Sequence, residues 1–284
     1  MAGAKHFFSA ISPTVCLTCI LGICPVFINY RGNALFTHKY LYCVSIGFVL
    51  FYSAVLVRTA NETRKSILSN SYYNSNKVSN IGIAFEFFGC VTYFYSTHLA
   101  CLFKANAMKN TIMKLYKVDL TLARFGQDLK YKRMVLYQLT TQLPPIVVMT
   151  LNAIVQSENI KREGFLPLSP LIWLLFVYPI AVVNIFENQF SYIVLFVHRR
   201  FLMLNEQLIK LDLVDQESNR VFHFKENNSE LHLRKIDTLM RMYDELCDVT
   251  QELSANYTLP IAIALVFQYS FLMFSIFYCY WMVI

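Results

Sequence analysis

Charge is what this 284-residue sequence has least of: only 15% of its residues are Asp, Glu, Lys or Arg, where soluble globular chains carry about 25%. That shortage argues against an ordinary soluble enzyme. With 56% hydrophobic residues and a mean hydropathy of +0.42, there are more apolar side chains than one soluble core can hide. Glycine and proline number eight each and no low-complexity run occurs, so collagen-like, mucin-like and disordered readings fall. Tryptophan is scarce at two, and the aromatic load is carried by 24 Phe and 18 Tyr. Lipid solvates several apolar helices of this kind.

A disulfide framework is also missing. Cys16, Cys19, Cys24, Cys43, Cys90, Cys101 and Cys279 lie in or beside apolar runs, and Cys247 lies in a polar stretch. Such placement fits buried apolar cysteines. The Cys16-x-x-Cys19 pair has redox or metal spacing but no second CxxC and no histidine pair beside it, so neither a metal nor a cofactor is expected. The net charge of +7 comes from 25 Lys and Arg gathered between apolar runs. That pattern speaks for membrane orientation and against a nucleic-acid groove.

A bilayer core of about 30 Å needs roughly 20 apolar residues in a helix. Five stretches meet this length: Lys39 to Val57, Ile81 to Phe103, Met134 to Gln156, Leu168 to Val197 and Leu259 to Ile284. A sixth, Phe7 to Tyr30, is interrupted by Pro13, Gly22 and Pro25. It reads as a cleaved signal peptide, a further span, or an interfacial or re-entrant segment. The last is favoured, because two prolines break the helix and no small-residue cleavage pattern follows. Residues 1–38 are thus an N-terminal cytoplasmic or interfacial segment, 39–197 hold the first four spans, 198–258 form a cytoplasmic helical loop, and 259–284 form the fifth span.

Counting Lys and Arg in the connecting segments orients the chain. With five spans and a cytoplasmic N-terminus, nineteen lie inside and six outside. Making Phe7 to Tyr30 a span moves only the N-terminus. The sequon Asn61-Glu62-Thr63 then falls outside and is the usable glycosylation site, whereas those at Asn227 and Asn256 fall inside or at a boundary.

After the fourth span the chain reads HRRFLMLNEQLIKL, with Phe201, Leu204, Leu208 and Leu211 on one helical face. His198, Arg199 and Arg200 read as snorkelling, orienting residues where a span meets the cytoplasm. A second amphipathic helix, Leu231 to Leu253, sets Ile236, Leu239, Met240, Tyr243, Leu246, Val249 and Leu253 opposite a charged face. Such a pair hides its apolar stripe against itself or a neighbouring subunit, so an oligomer is expected.

These segments also carry a resemblance. FLMLNEQL after a span, a charged gap, then LRKIDTLMRMYDELCDVTQELSANYTLP leading into an apolar run, together with the opening ISPTVCLTCILGICPVFINY, resemble the insect gustatory receptor family of seven-helix chemoreceptors. The resemblance implies an all-α polytopic transmembrane bundle in the plasma membrane, N-terminus cytoplasmic, with these five spans as the first five of seven. It implies a taste receptor that works as a ligand-gated cation channel, taking a small-molecule tastant in the outer half of the bundle and assembling as a homo- or hetero-oligomer with related subunits. Family members end in a further helix with a TYhhhhhQF signature, which this sequence lacks, stopping at FYCYWMVI. The last two helices are therefore expected to be absent.

Ionisable residues inside spans are functional candidates, since a charge at the bilayer centre costs roughly 2.5–3.5 kcal/mol even on insertion scales. Glu86 and Glu187 qualify. Glu86, with the aromatics Trp173, Tyr178, Tyr278 and Trp281, is the candidate ligand-binding set. Asn184, Glu187, Asn188 and Gln189 form an intramembrane polar cluster, read as interhelical hydrogen bonding that holds the bundle together.

No catalytic residues are expected. HExxH, GxSxG and phosphate-loop motifs are absent, the six histidines are scattered, and the His232-x4-Asp237 acyltransferase spacing stands alone in a charged helix. A G-protein-coupled receptor requires an external N-terminus, an acidic-Arg-aromatic triplet and NPxxY; the charge count opposes the first and neither motif occurs. Pro144, Pro145 and Pro179 interrupt spans, yet no second half repeats the first as a transporter would require. An odorant-receptor-like or accessory subunit without its own pore stays open, as do a membrane-embedded enzyme or transporter.

Overall fold

A computed structural model describes residues 2–29, 32, 34–69, 77–127, 129, 131–162, 170–220 and 227–283. Among them the chain forms six helices and one hairpin: α1 (Ala2–Ile20), β1 (Val26–Asn29), β2 (Ala34–Thr37), α2 (Lys39–Ser69), α3 (Lys77–Arg124), α4 (Tyr131–Arg162), α5 (Pro170–Arg220) and α6 (Asn227–Val283). The helical expectation holds, with the two-stranded antiparallel sheet as an addition that the sequence reading did not foresee.

Two stretches among the described residues are long and apolar enough to cross a membrane, Lys39–Asn61 and Val177–Leu211. The second runs past Val197, and α6 runs unbroken from Asn227 through Pro260 into the last apolar run. At 48, 51 and 57 residues, α3, α5 and α6 measure about 72 to 86 Å at 1.5 Å per residue, far more than a bilayer core. None of the three fits within a bilayer core over its whole length. α3 is the hub, packing most extensively on α6 and then on α5.

α6 buries Leu239, Met242, Leu246, Val249 and Leu253 in the main core. This stripe, at alternating spacings of three and four, departs from the expected one: Met242 joins it, while Ile236, Met240 and Tyr243 are exposed. Partner position decides the register, because α3 and α5 approach from one side of a helix that is apolar over a wide arc. A neighbouring subunit is not needed to cover it.

α1 stays a helix across Pro13 and buries Phe7, Phe8, Ala10, Ile11 and Val15. It ends at Gly22, whose φ of +62° suits glycine. There Ile23 N donates to Thr18 O at 2.8 Å and Gly22 N to Cys19 O at 3.0 Å, the paired bonds of a Schellman stop. The chain then turns through Pro25 into the hairpin, whose Val26, Ile28 and Leu35 point into the core.

Candidate functional site

Among the described residues, two carboxylates bridge helices from within apolar stretches, each at the centre of a polar constellation. The first lies where α3, α4 and α5 meet. Asp119 sits on the buried stripe of α3, flanked by Leu115, Val118 and Leu122 at helical spacing, and is 2% exposed. Arg200 of α5, fully buried, donates from Nε to Asp119 Oδ1 and from Nη2 to Asp119 Oδ2, both at 2.7 Å. The Tyr131 hydroxyl of α4 donates to Asp119 Oδ2 at 2.7 Å. Arg200 Nη1 is taken up by Phe196 O at 3.1 Å, and the guanidinium carbon lies 3.3 Å from the Phe196 ring centroid. Burial and then the Asp119 carboxylate push the Tyr131 phenol well above its ordinary value, so it remains a donor.

Arg200 thus departs from the snorkelling role read from HRR. Every side of its head group is used inside the protein, because it faces Asp119 on the buried stripe of α3. Phe7 of α1 packs against this junction, with ring centroids 5.6 Å from Phe196, 6.4 Å from Tyr131 and 5.2 Å from Tyr116.

The second constellation lies between α5 and α6. Gln268 Nε2 donates to both oxygens of Glu187, at 2.8 and 3.0 Å. Glu187 is half-buried, with acceptor capacity beyond this amide. Nearby on α3 are Tyr93 and Thr97, buried and one turn apart, whose hydroxyls bond no described group outside this pair. Gln268 was not among the sequence candidates. A lone amide in the Leu259 to Ile284 run reads as an ordinary helix contact, so nothing in the sequence sets it apart.

The remaining candidates are dispersed. Asn184 Nδ2 donates to Ile180 O at 2.9 Å within its own helix, Asn188 is half-buried, and Gln189 is buried with its Oε1 unbonded among the described residues. Gln189 borders a cavity between α1, α3 and α5 of about 20 Å³, room for one water and not for a ligand. Tyr178 donates to Leu21 O at 2.7 Å and lies in an aromatic cluster with Phe48, Tyr52, Phe94 and His98, ring centroids 5.5 to 6.2 Å away. In this arrangement it ties α5 to the α1 turn. Asn61 is exposed near the far end of the Lys39–Asn61 stretch. The side chains of Glu86, Trp173, Tyr278 and Trp281 lie outside the described residues. No group of three or more His, Cys, Asp or Glu suited to a metal occurs among the described residues.

A search of curated proteins returns no match to this sequence. The family model described as 7tm Chemosensory receptor matches residues 12–284, nearly the whole chain and every helix that builds the two constellations. The chain belongs to the 7tm chemosensory receptor family, and is a membrane chemoreceptor.

Proposed function

We propose that this chain is a gustatory receptor, a subunit of a cation channel opened by a small-molecule tastant at the plasma membrane, with its N-terminus in the cytoplasm. It assembles with copies of itself or with related subunits. Family membership and the nineteen-to-six division of Lys and Arg support the reading. The observation that carries the ligand site is Glu187: a half-buried carboxylate that accepts from the Gln268 amide between α5 and α6, within electrostatic reach of the buried Tyr93. An apolar wall with a few convergent hydrogen-bonding groups is what a small polar organic ligand requires. Glu86, Trp173, Tyr178, Tyr278 and Trp281 complete the proposed lining.

The test is whole-cell recording from cells expressing the chain, alone and with related subunits, against a panel of sugars and bitter compounds. A ligand-evoked cation current is expected, and Glu187→Gln raises the half-maximal concentration about tenfold, the scale of one hydrogen bond to a charged group. Surface-expressed protein that passes no evoked current in either setting would rule the channel reading out. A current indifferent to Glu187→Gln moves the ligand elsewhere.

A further inference from the structure

The hairpin between α1 and α2 presents an apolar face that none of the described residues covers. Phe27 and Phe36 are direct cross-strand partners, and both point away from the bundle while Val26, Ile28 and Leu35 point in. Phe27 is 56% exposed, Phe36 50%, and Tyr40 in the first turn of α2 68%. With Leu41, Asn29 and His38 they line a shallow concavity of about 390 Å³.

The level of this face follows from its neighbours. Gly22 packs so closely on Phe48 that a Cβ there would come within 2.4 Å of the ring. Phe48 lies nine residues into α2, about 13 Å beyond Lys39, so the turn after α1 reaches well into the span. The chain then comes back: Val26 pairs with Thr37, two residues before the span begins at Lys39. Thr37 Oγ1 donates to Asn106 Oδ1 of α3 at 3.1 Å, holding β2 at that level. Phe27 and Phe36 are one residue further along. They therefore sit at the membrane boundary, continuous with the outward apolar face of α2 that Ile46, Leu50, Phe51 and Val57 present.

Charge points the same way. The first 61 residues contain no Asp or Glu, while Lys5, Arg31, Lys39 and Arg58 are present, and both His38 and Lys39 are exposed beside the aromatic rings. Aromatic rings flanked by cations are the composition of a bilayer interface.

We propose that the Phe27–Phe36 face with Tyr40 is a lipid-binding anchor, bedding its rings among the upper acyl chains of the leaflet at the Lys39 end of the span and setting an anionic phospholipid headgroup against His38 and Lys39. The hairpin holds α1, itself packed inside the bundle, at a fixed depth. The inference rests on α2 spanning the membrane, and one control tests that separately.

The experiment uses the full chain in vesicles of phosphatidylcholine and phosphatidylserine, with W173F and W281F removing the native indoles and Phe36→Trp supplying one. Lipids carrying a nitroxide near the glycerol or at the chain end serve as quenchers, with iodide as the aqueous one. Phe36→Trp fluorescence is expected to be quenched most by the shallow nitroxide, Leu50→Trp most by the deep one, and Met240→Trp only by iodide. Shallow-labelled phosphatidylserine is expected to quench Phe36→Trp more than labelled phosphatidylcholine, with Lys39→Gln abolishing the difference. Quenching of Phe36→Trp by iodide alone overturns the proposal in favour of water, and quenching by nothing overturns it in favour of a covering protein copy. Equal quenching by the two labelled lipids overturns the anionic headgroup. If Leu50→Trp escapes both nitroxides, the span itself fails, a distinct result.

Discussion

Asp119 and Glu187 are both carboxylates lodged between helices, yet they are held in opposite ways. Asp119 accepts from three donors on two other helices and is sealed from solvent. Among the described residues Glu187 accepts from the Gln268 amide alone and stays half open. A saturated buried carboxylate has nothing left to offer a ligand and fixes the relative position of α3, α4 and α5. An undersaturated one in an apolar wall is available for chemistry. The structural junction and the candidate site are thus told apart by counting donors, not by residue type.

Breaking the saturated pair has the largest expected effect. Arg200→Ala or Asp119→Ala strands a buried charge, at a cost of about 3–5 kcal/mol, and is read as loss of monodisperse folded protein on fluorescence-detected gel filtration. The double variant Asp119→Leu/Arg200→Met removes both charges and is expected to recover most of that loss. Equal damage from the double variant would mean that the pair is needed for more than neutralising itself.

Tyr131→Phe comes next. It removes one of three bonds to Asp119 and leaves the two from Arg200, so about 1.5–3 kcal/mol is lost, seen as earlier thermal unfolding in detergent with the fold intact. A neutral result would show that the two guanidinium bonds suffice.

Little of this contrast is legible in the sequence, and the reason is physical. Helix existence and apolar runs are local properties, so α2 and the later helices are foreseen. Arg200 in HRR looks like any cation at a membrane edge, because its partner lies 81 positions away. The trace that was present is Asp119 itself: it occupies the stripe formed by Ile112, Leu115, Val118 and Leu122, all buried, and an acid on such a stripe demands a cation. The α6 stripe fails in register for a similar reason. Leu239, Met240, Met242 and Tyr243 are all apolar, and only the approach of α3 and α5 selects which of them is buried. The hairpin was hidden by Pro25 and Gly22, which break a helix without announcing what replaces it. Of the ligand-site residues, Glu187 was legible as a carboxylate in an apolar run, whereas Gln268 was not, since a lone amide there reads as an ordinary helix contact.

At the open carboxylate, the expected effect on stability is small although the effect on ligand response is large. A double-mutant cycle over Glu187→Ala and Gln268→Ala should give a coupling of about 0.5–1.5 kcal/mol, measured by thermal unfolding in detergent. A coupling as large as that at Asp119 would move Glu187 to the structural class and leave the ligand site without its carboxylate.

A third carboxylate, Glu252, marks the solvent end of the series and gives the smallest effect. It accepts from Lys114 Nζ at 2.5 Å and from Thr111 Oγ1 at 2.8 Å across the α3–α6 seam, but both charged side chains are more than a third exposed. Partial burial pushes the Glu252 carboxyl up, and the bonds from Lys114 and Thr111 with the Lys114 charge outweigh it, leaving it below its ordinary 4.5. Lys114 is raised above 10.5, chiefly by its bond to Glu252. The carboxyl's contribution is therefore present above pH 4.5 and lost as pH falls through its lowered value. The ammonium's is present below pH 10.5 and lost as pH rises through its raised one. Water and salt screen the pair, so Lys114→Ala should cost under about 1 kcal/mol near neutral pH, and less in 1 M salt. A pH scan of thermal unfolding should show the Lys114→Ala deficit closing on acidification, and a deficit that stays constant would mean that the Glu252 carboxylate is not what Lys114 holds.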